Sequence, residues 1–172
     1  MLVPLVVPDA GSAPEVLFLV RPQTMPTHAG QVAFPGGGAE AGEDAVAAAL
    51  REAEEELGIP RSAPDVLGCL DDLRTHTGFV VTPVVARLPP DLALAPSPRE
   101  VDAHFSVPLP ALLDPRGIRT ARGIRVGRVE VTLRFWVDAP HVIWGATGHI
   151  LWTLLEILGR APTPSERARA DR

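Results

Sequence analysis

A mixed β-sheet flanked by two main helices, the layered α/β class, is the architecture this sequence predicts. Three observations carry the expectation. Short β-branched and apolar runs recur along the 172 residues, most of them closed by proline or glycine. Two stretches, near 44–57 and 145–159, instead repeat apolar residues at helical spacing. There is no internal repeat and no linker between two halves, so 1–160 reads as a single domain and 161–172 as a frayed tail.

Taken in order, "LVPLVVP" and "VLFLVRP" are two strands joined by the turn-rich "DAGSAPE". Residues 25–30 form a loop, "QVAFP" a short strand, and 36–42 a glycine-rich loop. The first helix runs from Asp44, which suits the positive end of its dipole, to Leu57. Gly58 is placed for a left-handed cap and Pro60 blocks continuation. Val46, Leu50, Ala53 and Leu57 form its core stripe.

"DVLGCLDDL" and "GFVVTPVVARL" follow as strands, with Cys69 expected to be a buried thiol among uncharged neighbours. "LPPDLALAPSPRE" is a loop long enough to be functional. "VDAHFSVPL" is a strand and 108–114 a short helix. "GIRTARGIRVGRVEVTLRFWVD" supplies two or three strands with arginines on the wet face. The last helix, "GATGHILWTLLEILG", is expected to be capped by Thr147 and packed by Ile150, Leu151, Leu154, Leu155 and Leu158. Trp144 and Trp152 are expected to hold it to the sheet.

Composition narrows the function. At 46% hydrophobic and 22% charged the chain reads as soluble and globular, and a net charge of -5 lacks the basic footprint of a nucleic-acid binder. All sixteen basic residues counted as Lys+Arg are arginine, which excludes Schiff-base chemistry and a lysine base. A single cysteine forms no internal disulfide, and no apolar run has the length of a membrane span. The start has no basic n-region, so no signal peptide is expected and the location predicted is cytoplasmic.

The informative stretch is "VAFPGGGAEAGEDAVAAALREAEEELGIP". It crowds Glu52, Glu54, Glu55 and Glu56 into about one helix turn, where like charges repel. At about 100° per residue, Glu52, Glu55 and Glu56 share one face and Glu54 points away. Such a face is either solvated and balanced by Arg51, or it holds a hard divalent cation on oxygen ligands.

The spacing decides between the two. Gly37, Glu43 and the run Arg51-Glu52-Ala53-Glu54-Glu55-Glu56-Leu57-Gly58-Ile59 match the Nudix box in full. Seven fixed positions would coincide by accident in on the order of one chain in a million. The chain therefore resembles a Nudix hydrolase, which implies a Nudix α/β/α sandwich, a divalent cofactor (Mg²⁺ or Mn²⁺) and hydrolysis of a small-molecule diphosphate. The resemblance assigns Glu52, Glu55, Glu56 and the Gly36 carbonyl to the metal. It assigns Gly37, Glu43 and Arg51 to support, a division the chemistry shares, since a guanidinium holds carboxylates and not cations.

Upstream, "VLFLVRPQTMPTHAGQVAFPGG" is similar to the signature of the coenzyme A pyrophosphatase branch, with Arg21, Gly30, Phe34, Pro35, Gly36 and Gly37 in register. Leu19, Pro22 and Pro26 depart from it, Pro26 replacing an arginine. The branch implies cleavage of coenzyme A to 3′,5′-ADP and 4′-phosphopantetheine. Its alternatives are a Nudix enzyme for ADP-ribose or a dinucleotide, and a ligand-binding module without turnover. Arg21 is a candidate substrate ligand or a brace for a carboxylate, and His28 a candidate substrate contact or a structural loop residue. Glu100 matches the late carboxylate that several Nudix enzymes use as base, so Glu55, Glu56 and Glu100 are the catalytic candidates. The partners expected are the diphosphate and, for a homodimer, a second copy of the chain.

Overall fold

The computed structural model describes residues 1–8, 11–75, 78–126 and 129–159; the stretch read as a frayed tail lies outside the described residues. In chain order the elements are β1 (Leu2–Val6), β2 (Glu15–Val20), β3 (Val32–Ala33), α1 (Ala45–Leu57), β4 (Asp65–Cys69), β5 (Leu73–Arg74), β6 (Val80–Val81), β7 (Val84–Leu88), β8 (Ala103–Pro108), α2 (Leu109–Leu113), β9 (Ile118–Val126), β10 (Val129–Trp136) and α3 (Gly145–Gly159).

Side chains alternate between the two faces of a strand. In β2, Leu17 and Leu19 join one core cluster while Val16 and Phe18 join the other, and all four are buried. A strand buried on both faces needs a covering layer on each side. Accordingly, β2 is central: β8 pairs along one edge, and β1 and β3 share the other. β1 continues the sheet by pairing parallel with β7, and β4 closes that edge antiparallel, giving a mixed six-stranded sheet.

Ala49, Ala53 and Leu57 of α1 cover Leu2, Leu17, Leu19, Val84 and Ala86. On the other face, Ile150, Leu151, Leu154 and Leu155 of α3 join Trp136 and Leu112 over Val3, Val16, Phe18 and Val85. The result is an α/β/α layering, and no helix among the described residues is long and apolar enough to cross a membrane.

Four details correct the sequence reading. Cys69 is exposed, because β4 is the edge strand and is exposed throughout. Val46 and Leu50 are only half-buried; small residues at 49 and 53 bring α1 close to the sheet and carry the contact with Leu57. Thr147 lies inside α3, where its hydroxyl donates to the Val32 carbonyl at 3.0 Å, so it ties helix to strand. Leu158 is exposed in the last turn. As expected, Trp144 and Trp152 join the last helix to β10, Trp144 stacking on Phe135 and Trp152 lying under the Arg134 guanidinium, while Trp136, 2% exposed, fills the core. The arginine-bearing segment forms two strands, with Arg119, Arg122 and Arg125 exposed.

Candidate active site

The site is built around one well-terminated helix. The Asp44 side chain accepts from the Ala47 N–H at 2.8 Å and stops the N-terminus. At the other end Gly58 adopts φ 67°, and the N–H groups of Gly58 and Ile59 return to the carbonyls of Glu54 and Ala53. Burial of the Ala49, Ala53 and Leu57 stripe sets the rotation about the helix axis. Glu54 consequently points outward to Arg61, 2.7 Å away, while Glu52 and Glu56 turn toward the glycine loop.

Arg51 is 7% exposed and binds almost everything around it. Its Nε and Nη2 donate to the two carboxylate oxygens of Glu43 at 2.9 and 3.1 Å. Nη1 donates to Glu52 at 3.0 Å and to Glu55 at 3.3 Å, and Nη2 also reaches the Gly38 carbonyl at 2.8 Å. The bond from Arg51, then one from the Glu40 N–H, lowers the pKa of Glu43; the same pairing with Glu43 raises that of Arg51. Gly37 is fixed by sterics: a Cβ there would overlap the Glu52 carboxylate. Gly36, at φ 154°, presses against Met1 in a backbone conformation that side chains avoid.

Glu56 is the buried acid, 5% exposed, with its Oε2 accepting from the Gly36 N–H at 2.8 Å. Burial pushes its pKa up to about 7; Glu52 and Glu100 add to the rise, while the Gly36 N–H and Arg21 oppose it. Glu100 and Arg21, far from Glu56 in sequence, therefore stand within its electrostatic reach. Arg21 follows β2, held by backbone bonds to Gln31 and Gly30, and its buried Nε has no hydrogen-bond partner.

Glu100 arrives by a clamp that the sequence reading missed. The Ala95 and Ser97 N–H groups donate to the carbonyls of Leu57 and Glu56, each at 2.8 Å. Those helix-end carbonyls have no partner within α1, so the loop satisfies them. Gly58 leaves room for Ala95, where a side chain would collide. Nothing in "LALAPSPRE" signals backbone-to-backbone bonds of this kind. His28, by contrast, is exposed at φ 59° with Nδ1 2.9 Å from Gln31 Oε1, a local turn contact.

The donor set suits a hard divalent cation, being carboxylate and carbonyl oxygen only. Arg51 takes one oxygen from Glu52 and one from Glu55, so each keeps a second. Among the described residues no three acidic, histidine or cysteine side chains are already gathered as ligands. Glu52, Glu55 and Glu56 would hold such a cation, and its charge would offset the cost of ionising Glu56, whose pKa is raised chiefly by burial.

A profile of the NUDIX domain matches residues 3–125. The chain belongs to the Nudix family. Among curated relatives, the uncharacterized Nudix hydrolase NudL of Photorhabdus laumondii is 41% identical over 144 residues, which is 83% of this chain and 76% of that one. NudL of Escherichia coli K12 is 40% identical over 152 residues, 87% and 78% of the two chains. The solved Nudix hydrolase RenU of M. smegmatis superposes with a TM-score of 0.55 at 24% identity, covering 66% of this chain and 71% of that one. A C. elegans Ap4A hydrolase gives 0.53 at 23%, with 63% and 80% covered. At such identities these two structures show the fold alone. The protein is thus a Nudix pyrophosphohydrolase, from a family that generally uses divalent metal ions on small-molecule diphosphates.

Proposed function

We propose that this Nudix hydrolase cleaves the diphosphate of coenzyme A or an acyl derivative, giving 3′,5′-ADP and (acyl-)4′-phosphopantetheine, with Mg²⁺ or Mn²⁺. The observation that carries the substrate is Arg21. It belongs to the "VRPQTMPTHAGQVAFPGG" stretch of the coenzyme A branch, acts on Glu56, and keeps a buried guanidinium nitrogen without a partner. A phosphate oxygen would satisfy that nitrogen.

Glu52, Glu55, Glu56 and the Gly36 carbonyl would hold the cation. When bound it would neutralise diphosphate charge and acidify a water. The chain's own groups do the rest. Arg51 aligns Glu52 and Glu55, and Glu43 holds Arg51. Glu55, on the more exposed edge, or Glu100, brought in by the loop, accepts the proton of the attacking water. Arg21 orients the diphosphate, with His28 a further contact at the loop.

One observation favours a second reading, ADP-ribose or a dinucleotide. Pro26 stands exposed where the branch carries an arginine, so a cation for the 3′-phosphate is missing there. A panel of diphosphates with Mg²⁺ and Mn²⁺, products resolved by mass, separates the two. Within it, Pro26→Arg should improve kcat/KM for coenzyme A more than for dephospho-coenzyme A, by roughly ten- to a hundredfold, since a charge-assisted bond is worth about 1.5–3 kcal/mol. Equal change for both would mean that position 26 does not read the 3′-phosphate. A native preference for ADP-ribose over both would overturn the coenzyme A reading.

A further inference from the structure

On the α1 side of the sheet the helix covers β1, β7 and part of β2, and the proline-rich loop roofs the Glu15–Leu17 end of β2 with the neighbouring residues of β8. Under that roof is a cavity of about 350 Å³ that contains none of the carboxylates described above. Its walls are mainly apolar, with Leu17 and Leu88 of the sheet on the floor and Leu92 and Leu94 in the roof; His104, Ser106 and Glu15 supply polar groups. No arginine lines it.

Register gives the cavity a direction. His104 pairs with Leu19, Ser106 with Leu17 and Pro108 with Glu15. At about 3.3 Å per residue the groove runs roughly 13 Å from the Leu19 level to Glu15, starting about 7 Å along the strand from Arg21. The roof also continues directly into the clamp, since Leu92 and Leu94 are followed by Ala95, Ser97 and Glu100. The Leu19 end of the groove therefore lies on the Arg21 side of the sheet, and the Glu15 end leads away from it.

We propose that this groove is the subsite for the pantetheine arm of the substrate, a proposal that rests on the coenzyme A reading above. The arm is long, flexible and uncharged, with a branched hydrocarbon near the phosphate and two amides beyond it. Leu17, Leu88 and Leu92 offer apolar contact for the hydrocarbon, and His104 and Ser106 offer hydrogen bonds for the amides. The other half of the molecule is excluded by charge: adenosine with its phosphates would meet Glu15 and no cation. The arm then lies along β2 and β8 with its phosphate end at Arg21, so remote binding energy positions the diphosphate.

The test uses the full chain and both halves of the substrate. Ser106→Phe fills the groove from a strand position that tolerates aromatics, and Leu92→Ser weakens the roof. Pantetheine titrated into metal-free protein should perturb the amide signals of 88, 91–94 and 104–106, and its affinity should fall about tenfold in either variant, together with kcat/KM for coenzyme A. Affinity for 3′,5′-ADP should change less than twofold. Equal losses for pantetheine and 3′,5′-ADP, pantetheine signals confined to 36–56, or unaltered kcat/KM in two folded variants would overturn the subsite. Failure of the underlying reading shows itself separately, as a wild-type enzyme that cleaves other diphosphates and leaves coenzyme A intact.

Discussion

Glu56 and Arg51 adjoin one face yet are held in opposite ways, and the difference is measurable. In metal-free protein the Glu56 carboxyl has a pKa of about 7, above the ordinary value of 4.5 that it regains on unfolding. The folded state thus holds the proton more tightly. Stability from this group is fully present below pH 4.5 and is lost as pH rises to about 7, an effect of roughly 1–3 kcal/mol. Glu56→Gln should nearly abolish turnover while removing this pH dependence, because an amide keeps the shape and can still accept from Gly36. Metal-free melting between pH 5 and 8 checks the second part; a variant that keeps most of its kcat at saturating Mg²⁺ sinks the first. Arg51→Ala should instead lower activity and melting temperature together, since Glu43, Glu52, Glu55 and Gly38 all lose their shared partner. An unchanged melting temperature with reduced activity would speak against the bracing role.

Elements with local signals were readable from the chain. Asp44, Gly58 and Pro60 give α1 its ends, and the continuous apolar run "VLFLV" marks β2 as a strand. What failed was anything set by neighbours. Cys69 sits in a strand whose sequence suits burial, but its position at the sheet edge leaves it exposed. Thr147 has the chemistry of a cap, yet the helix begins two residues earlier and the hydroxyl spans to β3. That bond fastens the α3 layer to the strand leading into Phe34–Gly37. Thr147→Val keeps the shape and leaves the buried Val32 carbonyl unpaired, so it should cost about 1–3 kcal/mol in denaturant unfolding. A cost within a few tenths of that unit would show that the carbonyl finds another donor.

Across the whole molecule, the carboxylates were legible because their spacing is fixed by a single helix. The rest of the site was legible only by resemblance, because Arg21, Gly36 and Glu100 come together through tertiary contacts that no local pattern encodes. The Ala95 and Ser97 bonds to the end of α1 are the clearest case. They join segments distant in sequence, across β4 and β7, so the clamp cannot close until those strands have paired. Contacts of high sequence separation require loop closure before they give any return. Refolding followed at once by far-ultraviolet circular dichroism and by diphosphate hydrolysis should therefore show helical signal ahead of activity, the lag shortening when the 89–100 segment is made less flexible. Simultaneous recovery of both would place clamp closure at the main folding barrier. On this view a nascent chain is harmless to its substrate until the fold is complete, and hydrolysis is the last property the molecule acquires.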